Sequence, residues 1–169
     1  MTEEPDVEQF QQDVFKASMS AIEQFRSDFP NTQVCGFALY SDADARTLAP
    51  SFNTQDHLTR VQAEYPDDAK YFKWSPAEWS HEAYGGDCFN DLSTMLWNMA
   101  DATTDNNFVA HRRLIFEQCV IALKKLTTTF DTAIYVFSVS DFECVEDEIA
   151  WVTALNTPEE AYEFRTWLE

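Results

Sequence analysis

Carboxylates and imidazoles are the groups in this chain whose spacing could do chemistry. Glu78 and His81 stand three residues apart in Trp74-Ser75-Pro76-Ala77-Glu78-Trp79-Ser80-His81-Glu82. On a helix that spacing puts both on one face. A Glu-x-x-His pair is half of a di-iron carboxylate site, which also needs a second such pair and two more glutamates. The sequence has no second Glu-x-x-His. Glu78 is moreover explained as the capping carboxylate of Ser75-Pro76-Ala77-Glu78. A second candidate group is Asp42 and Asp44 after one apolar run, with Asp141 and Glu143 after another. If both runs are strands ending at one sheet edge, the four carboxylates converge and can hold Mg²⁺ or Ca²⁺. As ordinary turn formers they need no such role. These groups, with Glu82, define an enzymatic alternative: a small metal-dependent or hydrolytic enzyme.

Other catalytic signatures are missing. There is no Gly-x-Ser-x-Gly and no His-Glu-x-x-His. Three glycines in the whole chain leave no room for a glycine-rich phosphate loop. His57, His81 and His111 carry no cue that joins them to a nucleophile, although a Ser-His-Asp triad assembles in space and leaves no sequence mark. Arg112-Arg113 and Lys124-Lys125 sit in a helical stretch and suit pairing with nearby acids better than phosphate binding. No catalytic residue, metal or cofactor is assigned, and the expectation is a non-enzyme.

Charge is the stronger signal. The 169 residues carry 30 Asp plus Glu against 11 Lys plus Arg, a formal charge of −19. Nucleic acid and anionic membrane both repel such a polyanion, so neither is an expected partner. Residues 1–15 hold five acids and no base, and residues 131–169 hold ten acids and only Arg165. If the termini meet in space, one strongly negative face results. The densest run is Glu143, Glu146, Asp147, Glu148, Glu159, Glu160 and Glu163. Repulsion within it would be relieved by a positively charged partner, bound fast and salt-sensitively.

The chain is 45% hydrophobic and 15% aromatic, which excludes a disordered acidic tail. One domain of this length buries enough surface to need no staple. Cys35, Cys88, Cys119 and Cys144 form no Cys-x-x-Cys pair and read as reduced thiols of a cytoplasmic protein. The start, Met1-Thr2-Glu3-Glu4-Pro5, lacks the apolar run of a signal peptide. No stretch approaches the ~20 apolar residues of a membrane span.

The elements that must position these groups follow from periodicity. Residues 6–29 read as a helix, with Val7, Phe10, Val14, Ala17, Ala21, Phe25 and Phe29 on one stripe. Residues 34–40 read as a strand and 47–52 as its antiparallel return. A helix capped by Asn53 or Thr54 reaches Tyr65. Tyr71 to Trp74 reads as extended, followed by a short helix ending at Gly85-Gly86. Residues 87–101 and 108–130 read as helices and 133–139 as the clearest strand. Residues 149–155 read as its partner strand, and Thr157-Pro158-Glu159-Glu160 caps a terminal helix. Strands in adjacent pairs imply a single α+β domain over 1–169, an antiparallel sheet of about four strands with helices packed on one face. The runs 34–40 and 133–139 are apolar on both faces, which suits strands covered twice.

Several segments together resemble a known family. These are Ala38-Leu39-Tyr40 through Asp42, Thr47 through Thr54 with His57-Leu58, Tyr71 through Trp79 with Glu82, and Leu155-Asn156. The chain resembles the bacterial family called domain of unknown function 4303 along almost its full length. The resemblance implies a stand-alone bacterial cytoplasmic domain and brings no catalytic residues with it. By analogy, small bacterial families of this kind suggest toxin–immunity neighbourhoods. The resulting expectation is an acidic immunity-type protein that neutralises a cognate toxin by covering its basic surface. The partner would be a basic protein such as a toxin domain, met by Glu143, Glu146, Asp147, Glu148, Glu159, Glu160 and Glu163. A third reading is an acidic regulatory or scaffold protein.

Overall fold

The computed structural model describes residues 6–169. Helix α1 (Val7–Asp28) starts where the Asp6 carboxylate accepts from the Gln9 amide at 3.1 Å. Strand β1 (Val34–Asp42) turns into β2 (Ala49–Thr54). Thr54 then caps α2 (Gln55–Glu64) by accepting from the His57 amide. A short helix α3 (Ala69–Trp74) and a 3-10 turn (Pro76–Glu78) lead to a two-residue strand β3 (His81–Glu82). Helices α4 (Asn90–Ala102) and α5 (Phe108–Leu126) precede β4 (Ile134–Ser140). The hairpin of α6 (Val145–Leu155) and α7 (Pro158–Leu168) ends the chain.

The sheet order is β3-β2-β1-β4. β2 runs antiparallel to both β1 and β3, but β4 runs parallel to β1. The sheet is therefore mixed, where an antiparallel one was expected. The cause is connection length: everything from α2 to α5 lies between the hairpin and β4, ample for a parallel crossover. The fourth strand is also not the expected one. Residues 149–155 are part of α6, and β3 takes the remaining place.

Helices cover both faces of the sheet, as the two-sided apolar runs suggested and the one-sided arrangement did not. Phe37, Leu39, Phe52, Tyr135 and Phe137 face the layer of α1, α4 and α5. Ala38, Ile134 and Val136 face Trp74, Trp79, Val152 and Phe164. Helix α6 runs along the open edge of β4 and serves both layers, Trp151 in the first and Val152 in the second. Asn156 completes that edge. Its side chain accepts from the Tyr135 amide and donates to the Tyr135 carbonyl, both at 2.8 Å, standing in for a strand neighbour.

Tyr71 to Trp74 is helical instead of extended, because as α3 it buries Trp74 while Tyr71 stays at the surface. The expected helix after Ser75 is only a 3-10 turn, and Ser75 makes no capping bond. Its residues are held another way: Ser51 Oγ donates to the Pro76 carbonyl at 3.0 Å and Trp79 Nε1 donates to the Lys73 carbonyl at 3.1 Å. The Trp79 ring lies flat against Gly36, where an added Cβ would sit 2.9 Å from it.

Candidate functional site

The parallel pairing of β1 and β4 sets Asp42 beside Ser140, so the two acidic turns after these strands lie at one end of the sheet. They do not build a cation cage. The Asp42 carboxylate accepts from the amides of Asp44 and Arg46 and from Thr47 Oγ1. Burial pushes its pKa up, but these donors outweigh burial and hold it below the usual carboxylate value. Asp44 pairs with Arg46, whose guanidinium also meets Asp101 at 2.6 Å. Arg112 donates to the Ala43 carbonyl at 3.2 Å and lies over the Phe142 ring, binding one turn to the other. Among the described residues no three His, Cys, Asp and Glu side chains are grouped to hold a metal.

Glu78, His81 and Glu82 are also not brought together. With Glu78 in a 3-10 turn and His81 in β3, the helical spacing that paired them is absent. Glu78 accepts from Tyr71 Oη at 2.8 Å, and Glu82 from Tyr40 Oη at 3.3 Å. Tyr40 is pushed up to about 12, first by burial and then by Glu82. His81 packs edge-on against Phe25 and Phe29, with Nδ1 3.0 Å from Ser80 Oγ. Burial, then nearby His57, lowers its pKa. His57 donates from Nε2 to the Glu78 carbonyl at 3.0 Å.

The acidic run divides in two. Glu143 stands in the turn just before α6 and Glu146, Asp147 and Glu148 in its first turn, while Glu159, Glu160 and Glu163 stand on the first turns of α7. The helices form an antiparallel hairpin, so these groups lie at opposite ends of it. Glu148 lines a cavity beside Trp167 and Leu168 at the far end of α7, and burial raises its pKa. Glu160 and Glu163 already hold a cation: Lys73 Nζ lies 2.5 Å from Glu160 Oε2 and 3.0 Å from Glu163 Oε1. Trp74 Nε1 donates to the same Glu163 oxygen at 2.9 Å. Burial opposes ionisation of Glu163, but these donors outweigh it and lower its pKa. Glu3 and Glu4 lie outside the described residues; the other terminal acids do not merge into one face, since α1 packs on the Phe layer and α7 on the Trp layer.

The concave feature nearest to polar chemistry is a cleft of about 440 Å³ between α2, α3 and α7, with the sheet as its floor. Cys35 enters it from a β-bulge between Val34 and Gly36. Burial raises the Cys35 thiol to about 11, so it is not a thiolate. Asn53 lines the cleft beside it, 1% exposed, and its Oδ1 has no hydrogen-bond partner. Sequence reasoning took Asn53 only as a possible helix cap. The available signal was alternation: Ser51 and Asn53 put polar groups on the inward face of an otherwise apolar strand.

All four cysteines are free thiols. No helix among the described residues is long and apolar enough to cross a membrane. No curated protein and no solved structure matches the chain. Residues 3–157 match the model of a family described as a domain of unknown function, DUF4303. That span includes β1, β2, the Trp74–Trp79 segment and Asn156, the parts that build the sheet, its Trp face and its closed edge. The chain belongs to the DUF4303 family.

Proposed function

We propose that the chain is a non-enzymatic binding protein of the immunity type, which neutralises a cognate bacterial toxin by covering its basic surface. One observation carries the reading: the two acidic turns and the first turn of α6 follow the same end of the paired strands β1 and β4. There Glu143 and Glu146 are exposed, with Asp147 partly so. Among the described residues, ion pairs engage only Asp44, Glu64, Asp101, Glu160 and Glu163. Most of the acid is therefore uncompensated, and a cationic partner relieves its mutual repulsion. The scattered Glu78, His81 and Glu82 and the self-satisfied Asp42 weigh against the hydrolytic alternative.

The contact residues are Glu143, Glu146 and Asp147 at one end of the α6–α7 hairpin, with Glu159 at the other. Glu160 and Glu163 act through Lys73, and half-buried Glu148 contributes less. The test is co-expression and affinity capture with the product of the adjacent gene. Capture at low salt that weakens steeply as salt rises is the expected result. Replacing Glu143, Glu146 and Asp147 with Lys is expected to weaken it at least ~100-fold, since rim charges act jointly on association. Retention of nothing at low salt, or binding indifferent to the triple reversal, overturns the reading.

A further inference from the structure

We propose that the cleft between α3 and α7 binds a small zwitterion of the α-amino-acid class. The inference does not rest on the toxin-neutralising reading, whose main contact residues Glu143, Glu146 and Asp147 lie at the other end of the α6–α7 hairpin; the cleft shares only Glu160 and Glu163 with that surface. It starts from Asn53. Asn53 is among the residues that line the cleft, and its buried carboxamide oxygen is unpaired, a cost in free energy that a hydrogen bond from a ligand N–H recovers. The cleft is of the size that takes small molecules.

The charges around Asn53 narrow the class. Lys70, Lys73, Glu160 and Glu163 line the same cleft, two cations against two anions. Lys73 is shared between Glu160 Oε2 and Glu163 Oε1, which leaves Glu160 Oε1 and Glu163 Oε2 outside those contacts. Lys70 is exposed at the rim and makes no ion pair among the described residues. An ammonium group finds acceptors in Asn53 Oδ1 and the free glutamate oxygens. A carboxylate finds Lys70. A simple anion meets two glutamates and a chain of charge −19. A simple cation leaves Lys70 unanswered and is repelled by it. A molecule that carries both charges on one small frame answers each. Leu58 and Ile134 add an apolar wall that suits an aliphatic side chain.

The experiment uses the full chain, with calorimetry and thermal-shift measurements against the standard amino acids at millimolar concentration. At least one aliphatic amino acid is expected to give saturable heat and raise the melting temperature. Its N-acetyl derivative, which lacks the ammonium, and its carboxamide, which lacks the carboxylate, are each expected to bind at least ~10-fold more weakly. Lys70→Ala, a change at an exposed position, is expected to cost about 10-fold in affinity with the fold intact. Asn53→Leu is expected to abolish binding, with circular dichroism showing that the domain is still folded. Should that variant not fold, Lys70→Ala and the two derivatives decide the matter. Absence of saturable binding by any amino acid overturns the proposal. So does binding that is unchanged by N-acetylation, by amidation and by Lys70→Ala.

Discussion

The two faces of the sheet are built on different principles. The α1, α4 and α5 face is sealed with phenylalanine. Phe25, Phe37, Phe52, Phe89 and Phe137 are all fully buried, and Phe25 stacks on Phe52 at 4.6 Å. The α3 and α7 face is built on Trp74 and Trp79, each of whose indole N–H groups finds a partner. Beside them it holds the Lys73–Glu160–Glu163 group and a cleft with an unpaired carboxamide. The apolar rings of the first face pack closely on one another, although a hollow of about 730 Å³ lies beside Phe25, Phe29 and Phe130. A face that satisfies polar groups one by one leaves gaps between them. The contrast sets a closely packed aromatic core on the phenylalanine side against individually paired polar groups, and the cleft proposed above as a binding site, on the tryptophan side.

The largest expected effect tests the first half of that contrast. Phe52→Ala removes a ring that is fully buried and meets Phe25, Phe37 and Tyr84. Urea unfolding is expected to show a loss of about 3–5 kcal/mol, with no loss of fold at low temperature. A loss below ~1 kcal/mol, well under the usual cost of such a truncation, would mean that this face is not the stabilising one.

Next in size is the seam where the two faces meet. Asn156→Ala removes both bonds to Tyr135 and opens the edge of β4. Each backbone group left unpaired costs about 1–3 kcal/mol if it stays dry, and less where water reaches it. Hydrogen exchange at the Tyr135 amide is expected to speed up sharply, while amides in β2 stay protected. Unchanged exchange at Tyr135 would show that α6 closes the edge without Asn156.

The same contrast explains what was readable in the sequence. The phenylalanine side follows from local pattern: the stripe on α1, the apolar face of α5 and the β-rich run of β4 are periodic signals. The tryptophan side is not periodic. Residues 149–155 are rich in Ile, Val, Trp and Thr and so look like a strand. Glu146, Asp147 and Glu148 favour a helix N-terminus there, and Trp151, Val152 and Leu155 fit a helix wedged against a sheet edge. The parallel pairing of β4 depends on a crossover longer than any local window. That Asn53 is unpaired depends on what surrounds it in space, and so does the engagement of Glu160 and Glu163 by Lys73, which lies far from them in the chain. The acidic run was legible as composition, but its division between two ends of a hairpin follows only once α6 is a helix.

A smaller effect is expected at the contact between the central strand and the tryptophan segment. Gly36→Ala places a methyl group 2.9 Å from the Trp79 ring, which is itself held by its Nε1 bond to the Lys73 carbonyl while Ser51 Oγ holds the nearby Pro76 carbonyl. The cost is expected to be about 1–3 kcal/mol, with a change in tryptophan fluorescence as the indole shifts. If the fluorescence is unchanged, Trp79 is not seated on Gly36, and the tryptophan face is looser than the contrast requires.

The smallest expected effect separates the faces by pH. His81 belongs to the phenylalanine side, and its pKa is lowered from 6.5 by burial and then by His57. The unfolded chain therefore binds this proton more readily, so the contribution is complete above pH 6.5 and is lost as pH falls through the lower folded value. Glu163 belongs to the tryptophan side, and its pKa is lowered from 4.5. Its contribution is complete above pH 4.5 and is lost only as pH falls further. Two windows result, with the histidine window at the higher pH. Unfolding of His81→Leu and wild type, compared from neutral pH downward, is expected to show the gap between them narrowing first below pH 6.5, because only wild type loses the histidine contribution there. Glu163→Gln is expected to leave that upper window intact and flatten the lower one. If His81→Leu and wild type lose stability in parallel from pH 7 to 5, the imidazole titrates as an exposed group, and its place in the phenylalanine layer has no energetic consequence.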